Sequence, residues 1–449
     1  MSLLAIITTL NGLRKPLLVA SACLLGGAAL ADVEDSNAAF SLATFGTLSM
    51  VRVDSGGATF LPFGNQPSGA KSAWTSGLDS MLAVQARYNF LPSATATLQL
   101  TARRDDQNNY RPDIDWAYLS YQPSAGLNLR AGRFVAPLFA ASDTRLVGYA
   151  NLWVRPPVDV YTLALNGVDG ADLIWRQAWA GNAFLTQIWG GSSRQQFPRK
   201  GAVGLTNQAV EYDKMLGLNL SLQRDGLGLR LAHMRARQTF ITTQGLPERG
   251  LSIFGDSQLA CMSKANSART PLLCRGLYTG FAELEQGYDV NQALFRFSSA
   301  GVSYERGPWR LSSEAIWLHH HSRVANSRAA YITLARSFEQ LTPYITWSWH
   351  RAGSKTFEAA VKPEYETLVK PNLKVYRPAG SEGPEQDSQS LGLRWDAMPG
   401  LAFKAQIDRM RPLGQGNGVS SLNRVGLVGR NLSSSPAIHV YNLSMDFAY

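Results

Sequence analysis

After Ala31 the chain has no run of about eighteen apolar residues, the length a helix needs to cross a bilayer, so no membrane-spanning helix is expected there. Cysteine is scarce, with three residues at Cys23, Cys261 and Cys274. No phosphate-cradling glycine loop, zinc-ligand spacing or paired-carboxylate signature appears, so neither an enzyme nor a bound cofactor or metal is expected. Lys+Arg exceed Asp+Glu by 43 to 33, yet no basic helix gathers the excess, which argues against nucleic acid as a partner. A mean hydropathy of −0.13 reads as soluble, but strands that alternate apolar and polar residues average to a similar value.

The N-terminus carries Arg14 and Lys15, then the apolar run from Leu17 to Leu30 and the small-residue site Ala29-Leu30-Ala31. This order predicts a signal peptide over 1–31 and a secreted chain that starts at Asp32. An uncleaved anchor and a lipoprotein signal through Cys23 are the alternatives. The remaining 418 of 449 residues show no linker or composition break, so 32–449 is expected to form one large all-β unit.

The last nine residues give the clearest local pattern. Tyr441, Leu443, Met445, Phe447 and Tyr449 share one strand face, against Asn442, Ser444, Asp446 and Ala448 on the other. An apolar outer face over a polar inner one fits a barrel strand between lipid and a wet lumen; the edge strand of a soluble sandwich is the other reading. The alternation recurs from Phe40 to Val53, in Leu82 to Phe90 and Ala96 to Arg103, and in Leu216, Leu218, Leu220 and Leu222. Asp225-Gly226 then signals a hairpin back into Leu227, Leu229 and Leu231. Carried along the chain, this rhythm predicts about sixteen antiparallel strands, with long loops at one end and short turns at the other.

Three stretches resemble the Gram-negative outer-membrane porin superfamily. One is the hairpin Leu391-Gly392-Leu393-Arg394-Trp395-Asp396 through Pro399-Gly400 to Leu401-Ala402-Phe403-Lys404-Ala405-Gln406. A second is the aromatic C-terminal strand, which by that resemblance is also the signal read by barrel-assembly machinery. The third is Leu129-Arg130-Ala131-Gly132-Arg133, which closes a strand just before a long segment, as in porins ahead of the third loop that folds into the pore. The resemblance implies an all-β transmembrane barrel, a homotrimer as in that superfamily, that passes small hydrophilic solutes through the outer membrane.

The long segment, Pro137 to Asn166, carries Asp143, Arg145, Arg155 and Asp159 among Phe139, Tyr149, Leu152, Trp153 and Tyr161. Folded inward, it would narrow the lumen with fixed charges; lying flat outside is the alternative. It lacks the acidic Pro-Glu-Phe-Gly-Gly-Asp type of motif of enterobacterial porins, so strand parity selects the remaining lumen charges. Parity gives Arg87, Arg103, Arg130, Arg176, Arg230, Arg394 and Lys404 against Asp172, Glu305, Glu314, Asp396 and Asp408, and Arg133 joins them from the strand end. The positive lead predicts a moderate anion preference, with ion-paired wall residues as the plainer reading.

Outer-membrane lipid, anionic lipopolysaccharide and anionic solutes are the expected partners. A channel specific for sugars or carboxylates, with the loop's Trp and Tyr residues as a slide, is the rival within transport. A surface adhesin or receptor is the rival outside it. Cys261 and Cys274 are expected to form a disulfide, worth about 3 kcal/mol by loop closure. His319-His320-His321 suggests a metal cluster, but neighbouring strand residues point to opposite faces, which places it at a strand rim instead.

Overall fold

The computed structural model describes residues 39–55, 58–163, 165, 167–201, 204–241, 290–322, 324–353, 385–413, 426–428 and 436–449. The expected signal peptide, Cys261 and Cys274 lie outside them.

Among the described residues, sixteen long strands form one antiparallel sheet. They are β1 (Phe40–Val53), β2 (Met81–Leu91), β3 (Ala94–Arg104), β4 (Tyr110–Ser124), β5 (Leu127–Phe134), β6 (Val168–Trp179), β7 (Asn182–Gly201) and β8 (Gly204–Arg224). The second half comprises β9 (Leu227–Ile241), β10 (Ala293–Arg306), β11 (Trp309–His320), β12 (Ser327–Arg336), β13 (Leu341–Ala352), β14 (Glu385–Met398), β15 (Leu401–Leu413) and β16 (Ile438–Ala448). Each strand pairs with its chain neighbours, and β1 pairs with both β2 and β16. At that seam Leu48 stands opposite Met445 and Val51 opposite Asn442. Closure removes the free edges that an open sheet would expose. Two short ribbons accompany the sheet, Thr59–Leu61 paired with Gly426–Val428, and Thr75–Ser76 beside β1.

Turn chemistry fixes several hairpins. Asp225 and Gly226 both take positive φ, 47° and 82°, the combination a two-residue hairpin needs to follow the twist of its strands. The strands then present alternate faces. On β8, Leu216, Leu218 and Leu220 are exposed on the outside, while Asn219 and Ser221 are buried inside. The outer wall carries exposed leucines, isoleucines and tryptophans on nearly every strand, an apolar surface far beyond what a soluble protein tolerates and suited to lipid.

Near the short turns this wall becomes aromatic. Trp395 stacks on Phe403 at 5.5 Å, Phe447 on Tyr449 at 6.4 Å, and Arg336 lies over the rings of Trp309 and Phe338. Such a girdle marks a membrane interface.

Candidate pore and its inward loop

The described residues of the segment between β5 and β6 pack against the inner wall of the barrel, as an inward loop does. It is held by side chains of the opposite wall. Glu314 on β11 accepts hydrogen bonds from the Ala140 amide and the Tyr161 hydroxyl, at 2.9 and 3.0 Å. Trp153 donates its indole N–H to Thr333 and Thr346, at 3.0 and 3.2 Å. Asp159 accepts from Ser348 Oγ and Gln386 Nε2, both at 2.6 Å. Burial pushes the Asp159 carboxyl up to about 6, against the pull of its hydrogen bonds from Ser348, Ser388 and Gln386.

Apolar packing reinforces these anchors. Phe139 stacks on Tyr161 at 4.6 Å and meets Phe297 edge-on at 5.1 Å, and Trp153 meets Tyr331 at 5.6 Å. Together with Phe134, Met234, Phe295 and Ile316 they form a buried cluster inside the barrel. A lumen wall is polar where it faces water; here the wall from β9 to β12 turns apolar because the loop covers it. Trp153 is therefore a structural anchor, which removes it from the expected slide of aromatic residues.

Most of the cations expected to line the lumen turn out to be paired. Arg130 forks onto Asp172 of β6, with Nη2 to Oδ2 at 2.5 Å. Arg155 forks onto Asp79, at 2.8 and 2.6 Å, and its Nη1 lies 4.0 Å from Asp408. Arg394 pairs with Asp396 and donates to the carbonyls of Tyr149 and Asn151, each at 2.8 Å. Lys404 pairs with Asp446 at 3.0 Å and donates to the carbonyls of Gly148 and Trp153. Arg155, Arg394 and Lys404 hold the loop, and their charge is largely spent doing so. Arg103 approaches Asp115 at 3.8 Å. Arg230 donates to the Pro137 carbonyl at 2.8 Å. Arg87 keeps inward parity but sits exposed near the short turns, and Arg176 faces inward on β6.

Arg133 is a correction to the sequence reading. It stands three register steps from Arg130, on the outward face, where it forks onto Asp169 at 2.7 and 2.8 Å. An odd offset along a strand puts the two on opposite faces. The histidines behave as parity requires: His320 is buried inside with Nδ1 3.1 Å from Gln238, while the rings of His319 and His321 meet outside at 4.7 Å. Among the described residues no cluster of metal-ligating side chains is present.

Arg145 differs from the other loop cations. Its Nη2 donates to the Tyr161 carbonyl at 3.2 Å and its guanidinium lies over the rings of Phe63 and Tyr161, with no carboxylate in ion-pair reach among the described residues. Burial, with the nearby Arg103 adding to it, pulls it down to about 10, so it stays charged at neutral pH. Two cavities of about 30 and 40 Å³ flank the loop on the side of β1 to β4, and Arg145 lines both. Asp79 and Arg155 line the first, Asp115, Trp116 and Asp143 the second. Asp79 and Asp115 escaped the sequence reading. Asp79 lies in a Gly/Ser-rich connection with no strand parity, and Asp115 is the extra residue of a bulge opposite Gln99 and Leu100 that resets the parity of β4.

No protein-family model and no curated protein matches the chain. Solved structures do. An anion-selective porin from Comamonas acidovorans is similar at 9% identity with a TM-score of 0.52, over 91% of this chain and 99% of that one. A Salmonella typhi OmpF complex with daunomycin has 9% identity and a TM-score of 0.49, over 93% and 99%. Outer-membrane-expressed OmpT of Vibrio cholerae has 10% identity and a TM-score of 0.49, over 92% and 99%. The closed ring of sixteen antiparallel strands and the likeness to the Comamonas porin agree on one architecture: the chain folds as a porin-like β-barrel.

Proposed function

We propose that the protein is an outer-membrane channel for passive diffusion of small hydrophilic solutes, with a moderate preference for anions. The route runs between the inward loop and the wall of β1 to β4, where the two cavities meet at Arg145. The observation that carries this reading is Arg145 itself, a half-buried loop cation with no carboxylate partner among the described residues, at the boundary of both cavities. Around it, Arg103 adds positive charge, and Asp143 lies within electrostatic reach of Arg130, Arg176 and Arg230. Fixed guanidinium groups in a narrow water path lower the energy of a passing anion and raise that of a cation.

The same reading takes residues 1–31 as a signal peptide removed on export, and the barrel as a homotrimer. A bilayer recording of the purified protein under a salt gradient tests the channel: stepwise conductance with a reversal potential of anion-selective sign is expected. Absence of conductance steps from a folded, heat-modifiable barrel would end the proposal.

A further inference from the structure

A second segment enters the lumen beside the long loop. β1 runs from Phe40 at the short-turn end to Val53 at the long-loop end, and the chain that follows folds back into the barrel before β2 begins. The Phe60 and Ala70 amides each donate to the other's carbonyl, at 3.0 and 2.9 Å, which closes residues 60–70 into a compact loop. A Cβ at Gly69 would collide with the Phe60 carbonyl, so this closure needs glycine there. Phe60 and Ala70 are fully buried in one cluster with Val53 of β1, Met410 of β15, Val440 of β16 and Val158 of the long loop. Val440 shares its strand face with the inward Asn442 and Asp446, which puts the short loop inside the barrel.

The short loop is fastened to the long one. Arg155 forks onto Asp79, and its guanidinium lies 4.9 Å over the Phe60 ring. Gln66, at the tip, donates Nε2 to the Leu78 carbonyl at 2.6 Å. These ties carry Phe63 onto the route beside Arg145. The guanidinium groups of Arg103 on β3 and of Arg145 lie over its ring, at 5.8 and 5.7 Å. Pro62, Phe63 and Asp79 line the cavity there from one side, and Arg145, Arg155 and Tyr161 from the long loop. Its volume of about 30 Å³ holds a water molecule or two and no hydrated solute.

We infer that the size limit of the route is set by this short loop, with the Phe63 ring as the group that fills the path, and not by the long loop alone. The inference rests on the channel reading above. The long loop supplies the charge at this point through Arg145, and the short loop supplies the bulk. Phe63 carries no hydrogen-bonding group, so contacts with two guanidinium groups hold its ring, and rotation about its side-chain bonds clears the path while both loops stay in place. A solute larger than water passes when the ring has turned aside.

Single-channel conductance of the full-length barrel, together with the swelling of protein-loaded vesicles in uncharged sugars of graded size, tests it. Phe63→Ala should raise the conductance roughly twofold or more and admit larger sugars, because the narrowest point of a pore governs both. Phe63→Trp should lower both readings, a result that mere loosening of the loop would not give. Trp74→Ala, an exposed site in the same connection, should leave both unchanged. Phe63→Leu serves if the alanine variant fails to fold, with a smaller rise in the same direction. A conducting parent whose conductance and size limit stay the same in the folded Phe63 variants would overturn this inference alone. A folded parent and folded variants that are all silent would overturn the channel reading and this inference with it.

Discussion

Lys404 of β15 and Asp446 of β16 face each other at 3.0 Å, and neither side chain has any solvent exposure. Asp446 also accepts from Thr47 Oγ1 at 2.6 Å, so β1, β15 and β16 meet at one buried carboxylate. The ammonium reaches on to the Gly148 and Trp153 carbonyls and so ties the inward loop to the barrel seam. Gly148 permits this approach, because a Cβ there would lie 2.7 Å from Asp446 Cγ.

Lys404→Met leaves Asp446 buried without its cation. A loss of about 3–5 kcal/mol is expected, read as a lower temperature for the heat-modifiable mobility shift, with noisier conductance as the loop loosens. Replacing both partners by apolar residues should restore much of the stability but not the quiet conductance.

Asp159 predicts a pH dependence. Its folded value of about 6 lies above the ordinary 3.8, so the folded state favours the protonated acid. Its contribution to stability is full below about pH 4 and is lost as pH rises through 6, by at most about 3 kcal/mol. Comparison of thermal unfolding of the parent and Asp159→Asn across pH 4 to 7 checks this. The variant should show a smaller decline in stability than the parent between those limits.

The outer wall predicts a depth effect. Leu443 stands beside Met50 and Ala405, well inside the apolar band, whereas Phe447 stands beside Gly46 and Leu401 next to the Pro399-Gly400 turn. Leu443→Arg should cost about 2–4 kcal/mol and Phe447→Arg no more than about 1 kcal/mol. Refolding equilibria in lipid vesicles measure both, and equal costs would contradict the placement.

The sixteen strands were legible because lipid on one side and polar contacts on the other impose a two-residue period. Where that demand ends, so did legibility: β7 and β8 run through Asn182–Gly201 and Gly204–Arg224, well past the alternating cores at Phe184 to Gly190 and Leu216 to Gln223. Parity also placed Arg394 and Lys404 inside. It could not show that both would be consumed in holding the loop, because Asp446 and the loop carbonyls they reach lie far away in sequence. Asp79 and Asp115 carried no local signal, one in an irregular connection and one within a bulge. Arg133 did carry one, since its distance from Arg130 already put it on the other face.

The most direct measurement is the zero-current potential under a salt gradient, for the parent protein and for Arg145→Glu. Anion selectivity in the parent and a shift toward cation selectivity in the variant, with the barrel intact, are the predicted results. An unchanged reversal potential in a folded, conducting Arg145→Glu barrel would contradict the account, because the path would then not pass Arg145.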